Sequence, residues 1–242
     1  MKSADVLVFG AHPDDLEIGC GGTVANLARS GRRVVLVDLT RGELATRGTP
    51  ETRAAEADAA LRALGAADRV NLGLPDGGIA ADPRATALIA GVVRRHRPQM
   101  VLLPHIEDRH PDHMAAGRLV YEGVFLAGVQ KFAAAPAGVA PHRPGRLLSY
   151  MIWHAFSPDV IVEVPEPQAE AKMRAIRAYA TQFLASAAPD PETRLTDPRT
   201  LDAIESRMAY LGSLIGARHG EGFLIHGHLR VDDPLALSFE TF

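Results

Sequence analysis

The fold of this protein is decided by residues 10–23, which read GAHPDDLEIGCGGT. An apolar run, VLVF at residues 6–9, precedes this segment, and a helical pattern over residues 24–29 follows it. This order predicts a strand, a tight loop and a helix, and open parallel sheets bind ligands at such strand-end loops. His12 and Asp15 lie three residues apart on a turning backbone and can reach one point in space. Asp14, between them, must then point elsewhere.

The acidic loop has two interpretations at this stage. The first is a pair of metal ligands, His12 and Asp15, with Asp14 between them as a general base. The second is a helix-capping loop in which Asp14 or Asp15 is the N-cap residue. Short motifs carry a real false-positive risk, so this segment alone leaves both interpretations open.

The bulk properties are those of an ordinary soluble α/β protein. A chain of 242 residues can bury a substantial core, and we expect one domain over residues 1–242. Hydrophobic residues make up 47%, and the net charge of −3 gives no reason to expect a nucleic acid or an acidic membrane as partner. The single cysteine fits a reducing compartment. Because residues 1–5 leave no space for a signal peptide and no apolar run approaches the ~20 residues of a membrane helix, we expect a cytoplasmic protein.

Strands and helices alternate through the first half of the chain. Apolar runs predict buried strands at residues 34–37, 70–72 and 100–103. A polar loop at residues 40–48 is followed by TPE at residues 49–51, which opens a helix with a cap residue, a proline and an acid. Gly65 ends that helix. The order predicts an α/β fold, with a Rossmann-like, doubly wound, mainly parallel sheet and helices on both faces.

The glycines of the first loop do not predict a dinucleotide site. Gly19, Gly21 and Gly22 do not have the G-x-G-x-x-G spacing, and His12-Pro13 occupies the place where a pyrophosphate needs close backbone approach. Cys20, beside two glycines, is expected to be a small packing residue.

A second ligand-rich segment, PHIEDRHPDH at residues 104–113, follows the strand at residues 100–103. Pro111 fits the first position of a helix, which places His110 at the cap and His113 one turn later on the same side. Catalytic zinc sites use three protein ligands and keep a position for water, and His12, Asp15 and His113 form such a set. A capping histidine would explain one such cluster. Two clusters with His-Pro-Asp at the same sheet edge favour a metal site.

The two motifs resemble those of a known family. HPDD at residues 12–15 and HPDH at residues 110–113 are similar to the zinc-dependent N-acetylglucosamine de-N-acetylases of the PIG-L/LmbE type. Further segments, from residue 40 onward, resemble the branch that acts on N-acetylglucosaminyl malate in bacillithiol synthesis: TRGE at residues 40–43, TRGTPE at residues 46–51 and GEGF at residues 220–223. Ala45 departs from the expected glycine. The resemblance covers Ala4 to Phe223.

The resemblance implies an activity and a role for each site residue. It implies a Zn²⁺ ion on His12, Asp15 and His113, although Fe²⁺ could occupy the same ligands. Asp14 would be the general base, and His110 would meet the developing oxyanion. The substrate would be a small glucosaminyl conjugate that loses acetate. From the sequence, we expect Asp112 or Asp108 to keep His110 protonated.

Arg53 and Arg109 are the candidates to bind the malate group, because a guanidinium can hold a carboxylate through two parallel hydrogen bonds. The alternative for Arg53 is an ion pair with Glu51 or Glu56. Two other functions stay open: an amidase or deacetylase of another glucosaminide, such as a thiol conjugate or a chito-oligosaccharide, and a non-catalytic sugar- or nucleotide-binding module. The Ala-, Pro- and Gly-rich segment at residues 133–146 predicts a contact between subunits of a homo-oligomer.

Overall fold

The computed structural model describes residues 3–184, 191–236 and 238, which contain a seven-stranded sheet. Its strands are β1 Val6–Gly10, β2 Val34–Thr40, β3 Asp68–Leu74, β4 Met100–Pro104, β5 Arg146–Tyr150, β6 Val160–Glu163 and β7 Gly220–Ile225. The spatial order is β3-β2-β1-β4-β5-β7-β6; the first five strands are parallel, and β7 is antiparallel to both of its neighbours. The predicted α/β, mainly parallel sheet is confirmed.

Helices cover both faces of the sheet. They are α1 Asp15–Arg29, α2 Pro50–Leu64, α3 Pro83–His96, α4 Pro111–Ala127, α5 Glu166–Ala178, α6 Ala180–Phe183 and α7 Pro198–Ser213, followed by a 3₁₀ turn at Pro234–Ala236. Side chains alternate along a strand, so Val6 and Val8 of β1 enter the core beneath α1, α2, α5 and α7. Leu7 and Phe9 enter the second core, beneath α3 and α4. None of the described helices is long and apolar enough to span a lipid bilayer.

Helix α1 begins nine residues earlier than the sequence pattern indicates. The glycine-rich segment predicts a loop as far as Thr23, but the helix begins at Asp15, with a non-helical break at Cys20. A Cβ atom on Gly19 would lie only 2.2 Å from Cδ2 of Tyr150 in β5. The backbone N of Gly22 donates a hydrogen bond of 2.9 Å to Glu221 in β7. The glycines therefore allow a helix to approach the sheet closely, a role that local sequence does not separate from that of a loop.

Candidate active site

The loop between β1 and α1 holds His12, Asp14 and Asp15. Oδ2 of Asp15 accepts a hydrogen bond from the backbone N of His12 at 2.8 Å and lies 3.3 Å from Nδ1 of the His12 ring. Asp14 occupies the N-cap position of α1, but its side chain makes no capping hydrogen bond. Its backbone φ of 117° lies in the left-handed region, which costs a residue with a side chain about 1–3 kcal/mol. Capping therefore explains neither carboxylate.

The loop between β4 and α4 brings two histidines to the same sheet edge. His110 is the N-cap residue of α4 and Pro111 its first residue, in agreement with the sequence-based expectation. Nε2 of His113 lies 3.1 Å from Oδ1 of Asp15. The ring centroids of His110 and His113 are 4.6 Å apart, and those of His12 and His113 are 5.5 Å apart. The structure thus places the predicted metal ligands together, with Asp14 and His110 next to them.

Further carboxylates contact the ring nitrogens of His12 and His113 that face away from Asp15. Nδ1 of His113 lies 3.0 Å from Oδ1 of Asp108. Nε2 of His12 lies 3.1 Å from Oδ1 of Asp76 and 3.3 Å from Oδ2 of Asp112. Metal-binding histidines commonly donate their second ring N–H to a carboxylate in this way, which sets the tautomer and the ring orientation. The nitrogens left on the Asp15 side are Nδ1 of His12 and Nε2 of His113.

The charges of this cluster suit a cation. Burial alone would lower the pKa of His113, but Asp15 and Asp108 raise it to about 9. Burial likewise opposes the charged form of His12, and its carboxylate neighbours still hold its pKa well above the usual value. Surroundings that stabilise two imidazolium groups also fit a divalent metal, whose zinc-type ligands are imidazole nitrogen and carboxylate oxygen.

More than one ligand combination is geometrically possible. Among the described residues, two groups have donor atoms within 4.8 Å of one another: His12, His110 and His113, and His12, Asp76 and Asp112. Both groups share His12. The donor chemistry therefore fits a metal at this sheet edge, and the assignment of the individual ligands stays a prediction.

A cavity of about 440 Å³ opens beside these residues. This volume lies within the range of about 300–1,000 Å³ that is usual for small-molecule sites. His12, Asp14, Asp15, His110 and His113 all line it. Residues from the loops after β2, β3, β4 and β5, from α6 and from the segment between α6 and α7 complete it, among them Leu44, Asp76, Arg109, Trp153, Gln182 and Arg194. The Cζ atom of Arg109 lies 4.7 Å from the centroid of the Trp153 ring.

Comparison with known proteins identifies the family. The sequence profile described as PIG-L: GlcNAc-PI de-N-acetylase matches residues 7–124. The diacetylchitobiose deacetylase of Thermococcus kodakarensis is 30% identical over 232 residues, which cover 90% of this chain and 81% of that protein. The chain belongs to the PIG-L family. The resemblance of its sequence motifs to PIG-L de-N-acetylases is thereby confirmed.

Two more similar proteins extend over most of the chain. The 1D-myo-inositol 2-acetamido-2-deoxy-alpha-D-glucopyranoside deacetylase of Salinispora arenicola is 31% identical, over 74% of this chain and 76% of its own length. The conserved protein TT1542 from Thermus thermophilus, whose crystal structure is known, is 38% identical in sequence and superimposes with a TM-score of 0.84. This alignment covers 94% of this chain and 97% of TT1542. The similarity to TT1542 therefore includes the antiparallel part of the sheet, which lies beyond the residues that the family profile matches.

His110 differs from the sequence-based expectation in its protonation. Neither Asp108 nor Asp112 contacts its ring with a carboxylate; these groups contact His113 and His12 instead. Nδ1 of His110 accepts a hydrogen bond from the backbone N of Asp112 at 3.2 Å, so the ring proton lies on Nε2. Burial, followed by the charges of His113 and His12, lowers the pKa of His110. The charge of Asp112 favours the imidazolium, as expected, but burial and the two histidines outweigh it, and a ring whose Nδ1 accepts a hydrogen bond carries its single N–H on Nε2.

Arg53 pairs with Asp14 and not with Glu51 or Glu56. Its Nη2 atom lies 3.2 Å from Oδ2 of Asp14 and also donates to the carbonyl oxygen of Pro13. Only 3% of Arg53 is exposed. Burial raises the pKa of Asp14 to about 7, and the nearby Arg53 guanidinium limits that rise. Arg53 thus holds the carboxylate of the predicted general base, and its role toward substrate stays a prediction.

Several residues that line the site are not indicated by the sequence motifs. Asp76 and Trp153 follow β3 and β5, and Arg194 lies between α6 and α7. The signal for Asp76 was available, because Leu-Pro-Asp-Gly at residues 74–77 follows a predicted strand whose end lies at the same sheet edge. Trp153 and Arg194 belong to segments without a recognisable motif, so only the packing of the chain identifies them.

Proposed function

We propose that this protein is a metal-dependent de-N-acetylase that removes acetate from an N-acetylglucosaminyl conjugate and leaves a free amine. One observation carries the proposal: His12, Asp15 and His113 converge beside Asp14 and His110 in the cavity of a PIG-L family chain. The names of the Thermococcus and Salinispora relatives also describe deacetylases of acetylated glucosamine compounds.

The metal ligands in this proposal are His12 through Nδ1, His113 through Nε2, and the carboxylate of Asp15. The ion is Zn²⁺, with Fe²⁺ as an alternative on the same ligands. When bound, it supplies a Lewis acid for the amide carbonyl and lowers the pKa of coordinated water. Asp108 holds the ring of His113 from the outer side, at 3.0 Å from Nδ1.

The remaining steps belong to side chains of the protein. Asp14 accepts a proton from the attacking water, and Arg53 holds its carboxylate in place at 3.2 Å. The Nε2–H group of His110 donates a hydrogen bond to the carbonyl oxygen as negative charge develops there. Asp14 then transfers the proton to the nitrogen of the leaving amine. The C–N bond breaks as this proton arrives, and acetate is released.

We further propose that the conjugate is anionic, with N-acetylglucosaminyl malate of bacillithiol synthesis as the expected substrate. Support comes from Arg109 and Arg194, which line the same cavity and make no ion pair within the described residues. Burial, and then the positive charge of Arg194, lower the pKa of Arg109. Asp108 offsets part of this effect, and two neighbouring guanidinium groups that form no ion pair with the described residues suit an acidic group of the substrate. Arg53 stays a predicted malate ligand through the N–H groups that Asp14 and Pro13 do not use.

The test is acetate release from a substrate panel by the zinc-loaded protein. The panel contains N-acetylglucosaminyl malate, N,N'-diacetylchitobiose, an N-acetylglucosaminyl inositol and a thiol conjugate. We expect the malate conjugate to be preferred. Because a charge-assisted hydrogen bond contributes about 1.5–3 kcal/mol, Arg109→Gln should lower kcat/KM for this conjugate by about 10- to 100-fold. The uncharged chitobiose should be affected little.

Arg174→Gln, at an exposed arginine of α5, is the matched control and should change neither rate. Equal rates on malate and chitobiose conjugates in the wild type would remove malate from the proposal and leave a general glucosaminide deacetylase. Cleavage of the thiol conjugate alone would favour the amidase alternative. Absence of acetate from every substrate, with the thiol conjugate also left intact, would favour a binding module without catalysis.

A further inference from the structure

The turn after β3 reaches across β2 to the histidine that follows β1. Asp76 lies in this turn with only 8% of its side chain exposed, and its Oδ1 atom lies 3.1 Å from Nε2 of His12. Its Oδ2 atom accepts a hydrogen bond from the backbone N of Leu44 at 2.8 Å. The backbone N of Asp76 donates to Oε1 of Glu43 at 2.9 Å. One aspartate thus joins the loops that follow three neighbouring strands.

Gly77, the residue after Asp76, extends this connection to α4. The backbone N of Gly77 donates a hydrogen bond of 2.7 Å to Oδ2 of Asp112, the atom that lies 3.3 Å from Nε2 of His12. Gly77 has a φ of +70°, and a Cβ atom there would lie 2.8 Å from Cδ1 of Leu44. The exposed Leu44 side chain could move aside, but residues with a side chain rarely adopt this φ, so the turn favours glycine at this position.

We propose that Asp76 is a positioning residue for the metal site: its carboxylate accepts the Nε2–H of His12 and keeps Nδ1 of that ring toward Asp15. The proposal rests on the metal site of the proposed function, but not on the identity of the substrate. Without Asp76, only Asp112, at 3.3 Å, remains among the described residues as an acceptor for this N–H group, and the His12 ring can more easily change its tautomer or rotate. Both changes reduce the availability of the Nδ1 lone pair for a metal.

The contacts of Asp76 with His12 and Leu44 require a carboxylate at this position. Asp76 accepts one N–H group on each oxygen, from His12 and from Leu44. An asparagine has one acceptor and one NH₂ donor, so in either orientation its NH₂ group would face one of these partners. Asp76→Asn should therefore fail to restore the site, although it has nearly the same size as the native residue.

The experiment measures Zn²⁺ affinity of the metal-stripped full-length protein by competition with a chromogenic chelator. Loss of the carboxylate partner of a metal-binding histidine typically costs 10- to 100-fold in affinity, and we expect Asp76→Ala and Asp76→Asn to fall in this range. Unfolding temperatures are recorded with and without Zn²⁺. We expect both variants to show a smaller zinc-dependent increase than the wild type.

Glu43→Gln is the matched control, because Glu43 holds the same turn through the backbone N of Asp76 and does not contact His12. It should leave zinc affinity unchanged. The proposal is overturned if Asp76→Ala binds zinc as tightly as the wild type, or if Glu43→Gln weakens zinc binding to the same extent. Complete loss of zinc binding in Asp76→Ala would also overturn it, since Asp76 would then be a ligand. A failure to release acetate from any substrate would refute the proposed function and leave this result unchanged.

Discussion

Asp14 combines a strained backbone, a buried carboxylate and an arginine partner in one residue. Its φ of 117° is unfavourable for any residue with a side chain, and only 5% of Asp14 is exposed. Both properties cost stability. They direct the carboxylate into the cavity, away from the helix N-terminus, and Arg53 fixes it there. This combination is typical of a residue that is retained for its chemistry.

Asp14→Asn should separate catalysis from metal binding. The amide oxygen can still accept the hydrogen bond from Arg53, and the predicted ligands are untouched, so the variant should retain its zinc. It cannot accept a proton from water, and we expect kcat to fall by about 10²–10⁴-fold, the usual contribution of a general base. Elemental analysis and acetate-release kinetics measure the two effects. Loss of zinc together with activity would mean that the roles of Asp14 and Asp15 are interchanged.

At the level of elements, α1 depends on a carboxylate from the far end of the chain. Its second half begins after the break at Cys20, and the backbone N atoms of Gly22 and Thr23 donate to Glu221 at 2.9 and 2.7 Å. Lys172 of α5 lies 2.6 Å from the same carboxylate, and both side chains are buried. Glu221 therefore caps the second half of α1, whose first half carries Asp15.

Glu221→Gln should destabilise the fold strongly. Removal of one partner of a buried ion pair leaves an uncompensated charge and costs about 3–5 kcal/mol, and here Lys172 would be that charge. In urea unfolding, the double variant Lys172→Met/Glu221→Gln should lose less stability than the sum of the single variants. The control is Glu205→Gln at the exposed Arg177–Glu205 pair, where about 0–1 kcal/mol is expected. Additive losses at Lys172 and Glu221 would contradict the proposed coupling.

Across the whole molecule, the candidate metal site connects separate parts of the sheet. His12 and Asp15 follow β1, His113 lies in α4 after β4, and the supporting carboxylate of Asp76 follows β3. A ligand that binds only this folded arrangement stabilises the native state by mass action. The expected single domain, homo-oligomer and cytoplasmic location stay predictions.

Zinc should therefore raise the unfolding temperature of the whole chain. A free zinc concentration 100-fold above Kd contributes about 2.7 kcal/mol, which corresponds to a shift of about 5–10 °C for a protein of this size. Scanning calorimetry with zinc and with a chelator measures it. His113→Ala should abolish the shift, and His228→Ala, at an exposed histidine away from the cavity, should retain it. If the wild-type unfolding temperature is the same with zinc and with chelator, the metal site does not contribute to stability.

Local sequence was sufficient to predict the alternation of strands and helices and the position of both histidine motifs at strand ends. The proline and cap residues set the starts of α2 and α4, and Gly65, with a φ of 68°, ends α2. Because parallel strands place their carboxyl ends at one edge, motifs 98 residues apart, at His12 and His110, could be expected to meet.

The partner that each polar group contacts was settled only by the packing of distant segments. Asp76 contacts His12 across 64 residues, and Glu221 contacts Gly22 across 199 residues. The same packing allows α1 to begin at Asp15 and pairs Arg53 with Asp14. It also places Nδ1 of His110 where it accepts a hydrogen bond from the backbone N of Asp112. A local sequence pattern indicates which hydrogen bonds a residue can donate or accept. The partner depends on which distant backbone or side chain the packed sheet and helices bring within hydrogen-bond distance.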